Sequence, residues 1–125
     1  MNMYNLYIAA TGVNISEEEM LGVGERIVNL ERAFNALAGF SRKDDRFPER
    51  WFEPMETIEE PIIRRPLTDY YRKIELTKED VEKMFDEYYT DRGWDVEKGV
   101  PTKEKLLELG LGDIAERLWK DKGIS

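Results

Sequence analysis

Apolar positions with a helical repeat dominate this chain, interrupted by one long stretch in which no repeat survives. Val23, Ile27, Leu30, Phe34 and Leu37 recur at intervals of four, three, four and three, which traces one stripe along a helix. Ser16 stands before that stripe as an N-cap, and Glu19 can reach back to the Ser16 N–H to close a capping box. Ile15 and Met20 occupy the two hydrophobic-staple positions, and Glu17, Glu18 and Glu19 put negative charge at the positive end of the helix dipole. Gly39 follows Ala38 as a stop. The pattern predicts a long central helix over about residues 16–38, whose apolar stripe is expected to be the hub of the core. Gly22 and Gly24 weaken its first turns by roughly 1 kcal/mol each relative to alanine, so close approach of another element is expected there.

Shorter helices flank this one. Residues 2–10 carry Tyr4, Leu6, Tyr7 and Ile8 and read as a helix ending near Gly12, too short to stand without docking. Thr77 with Asp80, and Leu76 with Val81, repeat the capping-box and staple signature. Val81, Met84, Phe85, Tyr88 and Tyr89 then form an amphipathic pattern that Gly93 ends, with Trp94 expected to pack back on the core. Thr102 caps a short helix bearing Leu106, Leu107 and Leu109, closed by Gly110. Asp113 opens a last helix with Ile114, Leu118 and Trp119 inward and Gly123 as its stop.

Between residues 41 and 76 no period of 3.6 or 2 persists, and four of the five prolines (Pro48, Pro54, Pro61 and Pro66) fall there. This reads as a Pro-containing irregular arm anchored by Phe47, Trp51, Phe52, Ile58, Ile62, Ile63 and Leu67, either wrapping the helices or shaped for a partner. The predicted fold is all-α, a single multihelical domain over residues 1–125 built around the long helix.

The 125 residues suffice for one ordinary domain. No apolar run approaches the ~20 residues of a membrane span, and no signal-peptide pattern opens the chain, so a cytoplasmic location is the default expectation. A net charge of −8 argues against a nucleic-acid surface. Arg42-Lys43 and Arg64-Arg65 are short and flanked by acids or prolines, which suits local ion pairing. The absence of Cys and His removes disulfides, zinc sites, iron–sulfur ligation by this chain, thiol nucleophiles and Ser–His catalysis. The lack of Gln beside abundant Glu, Lys and Arg fits a thermophile's usage.

Few constellations carry chemistry. The acidic groups Glu17–Glu19, Asp44-Asp45 and Glu79–Glu82 read as solvated helix starts, since a di-metal bundle site would need Glu-x-x-His pairs. Asp91 to Glu97 resembles a calcium loop only faintly, because Val96 stands where the turn glycine belongs and Gly93 replaces an oxygen ligand. Gly22-x-Gly24 lies inside a helix and is no nucleotide fingerprint. Tyr70-Tyr71 and Tyr88-Tyr89 read as core and interface anchors. The polar residues Glu25, Arg26, Asn29, Glu31, Arg32 and Asn35, followed by Arg42, Asp44 and Asp45, are the one dense concentration. They form either a structural ion-pair network tying the helix to the arm or a ligand-facing surface.

GERIVNLERAFNALAGFSRKDDRFPER (Gly24 to Arg50) resembles the end of tungsten-containing aldehyde ferredoxin oxidoreductases. MFDEYYTDRGWDVEKGVPTKEKLLELGL (Met84 to Leu111) is similar to the segment that follows in that family, and LYIAATG (Leu6 to Gly12) to the sequence before the long helix. The resemblance implies the C-terminal region of an enzyme that oxidises aldehydes to carboxylic acids and passes electrons to ferredoxin. It implies a tungsten bis-pterin cofactor and a [4Fe–4S] cluster in the complete enzyme. It places the cluster cysteines and a pterin-contacting Asp-x-x-Gly-Leu-Cys element upstream of Met1, so no catalytic, cofactor or metal residue carries over and the chain alone is expected to bind none. The family's polar helix face and Arg-Lys-Asp-Asp turn map onto Arg26, Asn29, Glu31, Arg32, Asn35, Arg42, Asp44 and Asp45, positions expected to brace the cofactor domain.

Two readings follow. In the first, the chain is the C-terminal domain or a fragment of such an oxidoreductase, exposing an apolar face where a cofactor-bearing chain or a second copy docks. In the second, it is a free-standing helical interaction module without redox activity.

Overall fold

In a computed structural model, residues 3–53 and 66–121 are described. They form five helices and one two-stranded sheet: α1 (Met3–Thr11), α2 (Glu17–Leu37), α3 (Lys78–Arg92), β1 (Trp94–Asp95), β2 (Val100–Pro101), α4 (Lys103–Glu108) and α5 (Gly112–Asp121). The all-α class holds. Ile58, Ile62, Ile63, Pro54, Pro61, Arg64, Arg65 and Gly123 lie outside the described residues. Contacts divide the chain into one unit comprising Met1–Gly39 with Pro101–Ser125, and a second comprising Phe40–Val100.

The helix boundaries follow from their caps. The Ser16 hydroxyl accepts from Glu19 N at 3.1 Å while the Glu19 carboxylate accepts from Ser16 N at 2.7 Å. Thr77 and Asp80 repeat the arrangement at α3, and Thr102 accepts from Lys105 N at α4. Gly93 takes a left-handed conformation (φ 68°) that closes α3.

In the first unit α5 packs against both α2 and α4. Leu106, Leu111, Ala115 and Leu118 are buried, and the Trp119 indole N–H donates to Pro101 O at 3.2 Å. Ile114 and Trp119, expected inward, are half-buried, and Leu107 is exposed. Helix α1 buries no residue, and its Tyr4 hydroxyl donates to Ile15 O at 2.8 Å.

The long helix reverses the expectation drawn from its pattern. Asn29, Ala33 and Ala36 are its buried residues, whereas Ile27 is 52% and Phe34 72% exposed, with Val23 and Leu30 exposed as well. The physical reason is side-chain size: two alanines let a neighbouring helix come near, and the Asn29 side-chain amide satisfies itself by donating to Glu25 O at 3.0 Å. The predicted close approach at the two helix glycines is also absent among the described contacts. A Cβ built on Gly22 or Gly24 meets nothing within 4 Å. Gly22→Ala or Gly24→Ala is therefore expected to raise the stability of the chain by roughly 0.5–1 kcal/mol, measured by denaturant unfolding.

In the second unit the predicted arm has more local order than its prolines suggest. Two 3₁₀ turns, Arg42–Asp44 and Glu49–Trp51, are followed after the undescribed residues by a bridge between Thr68 and Glu75. The turn inside that bridge is held by the Asp69 carboxylate, which accepts from Lys73 N (2.6 Å) and Ile74 N (3.0 Å), and Arg72 adopts φ 56° there. The core is a column of rings. Trp51, Phe47, Phe85, Tyr89 and Trp94 stack in succession with centroids 5.1, 5.9, 6.0 and 5.8 Å apart. The segment that resembled a calcium loop is a tight turn, in which Asp95 Oδ1 accepts from Lys98 N and Asp95 O from Gly99 N.

Capping also sets an acid response. Hydrogen bonds from Ser16 hold the Glu19 carboxyl below its ordinary value, those from Ile74 and Lys73 do so for Asp69, and those from Thr77 for Asp80. Each folded value is depressed, so this stabilisation is fully present above the ordinary carboxylate range, about pH 4, and is lost as acidification passes through the folded values. The melting temperature is expected to fall over that window. Thr77→Ala should lower it at neutral pH and flatten part of the acid limb.

Candidate functional site

Helix α2 has two distinct sides. One, carrying Glu25, Asn29, Arg32, Ala33 and Ala36, turns into the first unit. Lys105 of α4 meets Glu25 at 2.6 Å and Glu108 at 3.3 Å, and Glu25 foremost raises the lysine above its ordinary value. The other side presents Val23, Ile27, Leu30 and Phe34 outward. Near its C-terminal end Leu30, Glu31, Phe34 and Asn35 line a shallow, open groove. At 21 residues the helix is about 31 Å long, so the stripe is a sizeable face.

The polar residues singled out in the sequence separate by position. Asn29 is buried and Arg32 half-buried in the first unit, while Arg26, Glu31 and Asn35 are exposed. Arg42, Asp44 and Asp45 belong to the second unit. There Arg42 ion-pairs with Glu82 at 2.7 Å and with Asp86, and donates to Val96 O at 2.7 Å. Its backbone N–H donates to Lys98 O, and its guanidinium lies 5.4 Å from the Tyr89 ring centroid. Glu82 foremost raises Arg42 above the ordinary guanidinium value. Asp45 accepts a hydrogen bond from the Tyr89 hydroxyl, and Asp44 Oδ2 accepts from Ser41 N at 2.9 Å. Arg42 thus ties the first 3₁₀ turn to α3 and to the turn before β2. Sequence reading missed Glu82, Asp86 and Tyr89 as its partners; they lie 40 or more residues away in the chain.

The donor set does not fit a metal centre. The chain has neither cysteine nor histidine, and among the described residues no group of three or more carboxylates could hold an ion. Among the described residues no helix is long and apolar enough to cross a membrane.

Residues 1–111 match the family model described as aldehyde ferredoxin oxidoreductase, domains 2 & 3. The chain belongs to the aldehyde ferredoxin oxidoreductase family. The tungsten-containing aldehyde ferredoxin oxidoreductase of Pyrococcus furiosus is 36% identical over 111 residues, 88% of this chain and 16% of that protein. Its counterpart in Thermococcus kodakarensis is 35% identical over 107 residues, 85% of this chain and 15% of that protein. The aliphatic sulfonate oxidoreductase WOR-like subunit of Pyrococcus furiosus is 33% identical over 120 residues, covering 91% and 17%. Among solved structures, the active site complex BamBC of benzoyl coenzyme A reductase, in complex with 1,5-dienoyl-CoA, aligns with a TM-score of 0.62. Identity there is 27%, over 98% of this chain and 15% of that one. The chain thus spans about one sixth of the length of these relatives. The relationships support a piece of such an enzyme over a free-standing interaction module.

Proposed function

We propose that the chain is the C-terminal helical part of a cytoplasmic, tungsten-dependent aldehyde:ferredoxin oxidoreductase, in which an aldehyde is oxidised to a carboxylate and electrons pass to ferredoxin. Its role is to brace the cofactor-bearing part, which supplies the tungsten bis-pterin and [4Fe–4S] chemistry. The observation that carries this reading is the outward apolar stripe of α2, since large exposed apolar faces on a helix mark surfaces made for another protein surface. The absence of cysteine and histidine agrees with a supporting part that does no electron transfer of its own.

Within that reading the eight polar positions divide in role. Asn29, Arg32, Arg42, Asp44 and Asp45 serve to hold each unit in shape, and Asn29, Arg42, Asp44 and Asp45 make their bonds inside their own unit. Arg26, Glu31 and Asn35, exposed on α2, are the positions available to orient the partner.

The test is recovery of the tagged chain from its native source, with tungsten and iron measured on the eluate and co-purifying chains identified by mass spectrometry. Stoichiometric metal with a larger, cysteine-containing chain of this family is expected. Metal-free chain recovered alone would overturn the proposal.

A further inference from the structure

The ring column of the second unit contains one polar group that the proposed function leaves unused. Tyr89 is 1% exposed, and its hydroxyl donates to the Asp45 carboxylate. Asp45 is half-buried, so a proton received there has a way out to water. Tyr88 is 42% exposed, and its ring centroid lies 6.1 Å from that of Tyr89 and 5.7 Å from that of Trp94. Tyr89 and Trp94 stack at 5.8 Å. In a chain without cysteine, tyrosine and tryptophan are the side chains most easily oxidised by one electron, and this cluster joins a buried ring to the surface. The Arg42 guanidinium, 5.4 Å from the Tyr89 ring centroid, disfavours positive charge on that ring. Loss of an electron there must therefore go with loss of the phenolic proton, and the hydrogen bond to Asp45 supplies the route.

We infer that Tyr89 is a redox-active tyrosine, with Asp45 as its proton acceptor and Tyr88 as the ring through which an oxidising radical in solution draws the electron. In the step, one electron passes from Tyr89 to the radical, the phenolic O–H bond breaks, and the proton moves to Asp45 Oδ2. The attacking radical is reduced by one electron, and a neutral phenoxyl radical and a carboxylic acid remain. Oxygen-derived radicals such as the carbonate radical are the class of oxidant strong enough for this. A one-electron reductant of the ascorbate class reverses the step, with the proton returning from Asp45. Exposed tyrosyl radicals couple to one another, whereas a ring as buried as Tyr89 is screened from that encounter. The site thus holds an oxidising equivalent without cross-linking the chain. It concerns oxidants from solution, not the electrons of the proposed reaction, and stands or falls independently of that reading.

The experiment uses the full chain carrying Tyr4→Phe, Tyr7→Phe, Tyr70→Phe and Tyr71→Phe, which leaves only Tyr88 and Tyr89 of the six tyrosines. Flash photolysis of a ruthenium polypyridyl complex with persulfate supplies the oxidant, transient absorption and electron paramagnetic resonance read the radical, and circular dichroism melts verify folding. This parent should give a long-lived tyrosyl signal that Tyr89→Phe abolishes. Asp45→Asn keeps an acceptor for the hydroxyl but is a far weaker base, and should slow radical formation about a hundredfold, the lower end for a positioned proton acceptor. Formation in the parent should also slow in deuterium oxide, which a purely structural hydrogen bond would not produce. Tyr88→Phe should retain the long-lived signal at lower yield. A long-lived signal that persists in Tyr89→Phe, or none in the parent, would overturn the site. A rate unchanged both in Asp45→Asn and in deuterium oxide would overturn the role of Asp45, and an undiminished yield in Tyr88→Phe that of Tyr88.

Discussion

Tyr89→Ala is expected to lower the stability of the second unit by about 3–5 kcal/mol, the range for removing a fully buried aromatic side chain. Tyr89 is 1% exposed. Its ring stacks on Phe85 and on Trp94 and takes the edge of Tyr88, while Arg42 lies over it. Truncation interrupts the column at its centre and leaves Asp45 without the hydroxyl it accepts from. Tyr89→Phe separates the two contributions, because it keeps the stack and removes only that hydrogen bond, for about 1 kcal/mol. Tryptophan fluorescence during denaturant unfolding reads both variants, with Trp94 as the reporter in contact with the site. Equal losses for Ala and Phe would show that the ring contributes nothing, and would refute the column as the core of this unit.

Leu118→Ala should cost about 2–5 kcal/mol in the first unit, where α5 is the element shared by α2 and α4. Leu118 is 0% exposed, so its truncation leaves a cavity inside the packed unit. The informative comparison is Phe34→Ala in the isolated chain. Phe34 is the larger residue and belongs to the stripe that hydrophobic periodicity marks as core, yet its exposure predicts a change within about ±0.5 kcal/mol. Urea unfolding of both variants decides the matter. A loss at Phe34 as large as that at Leu118 would mean that the apolar stripe is internal and that the outward assignment is wrong.

What was legible in the sequence is whatever depends on neighbours a few residues apart. Ser16 with Glu19, Thr77 with Asp80, Thr102, Gly93 and Gly110 all act where expected, because a cap is decided within one helical turn. The starts of α2, α3 and α4 follow from those caps. Which face of α2 is covered was not legible. Periodicity identifies the apolar face but not what covers it, and Ala33 and Ala36 give too weak a hydrophobic signal to compete with Ile27 and Phe34. The strands β1 and β2 have two residues each, too few for any period. The order in the arm arises from Phe47 meeting Phe85, and the role of Arg42 from Glu82 and Asp86, pairings that only the folded chain reveals. The absence of cysteine and histidine, by contrast, is read directly from composition.

The open stripe on α2 has a consequence for how the cell handles this protein. Under the function proposed above, an unassembled copy displays Ile27, Leu30 and Phe34 to every chaperone and protease it encounters, whereas assembly would hide them. Synthesis in excess of the oxidoreductase part is then expected to yield short-lived orphans rather than a standing pool. A pulse-chase measurement would show this as a longer half-life when the oxidoreductase part is co-produced. Abundance of the chain would follow its partner, a form of dosage control that needs no regulator beyond the chemistry of one helix face.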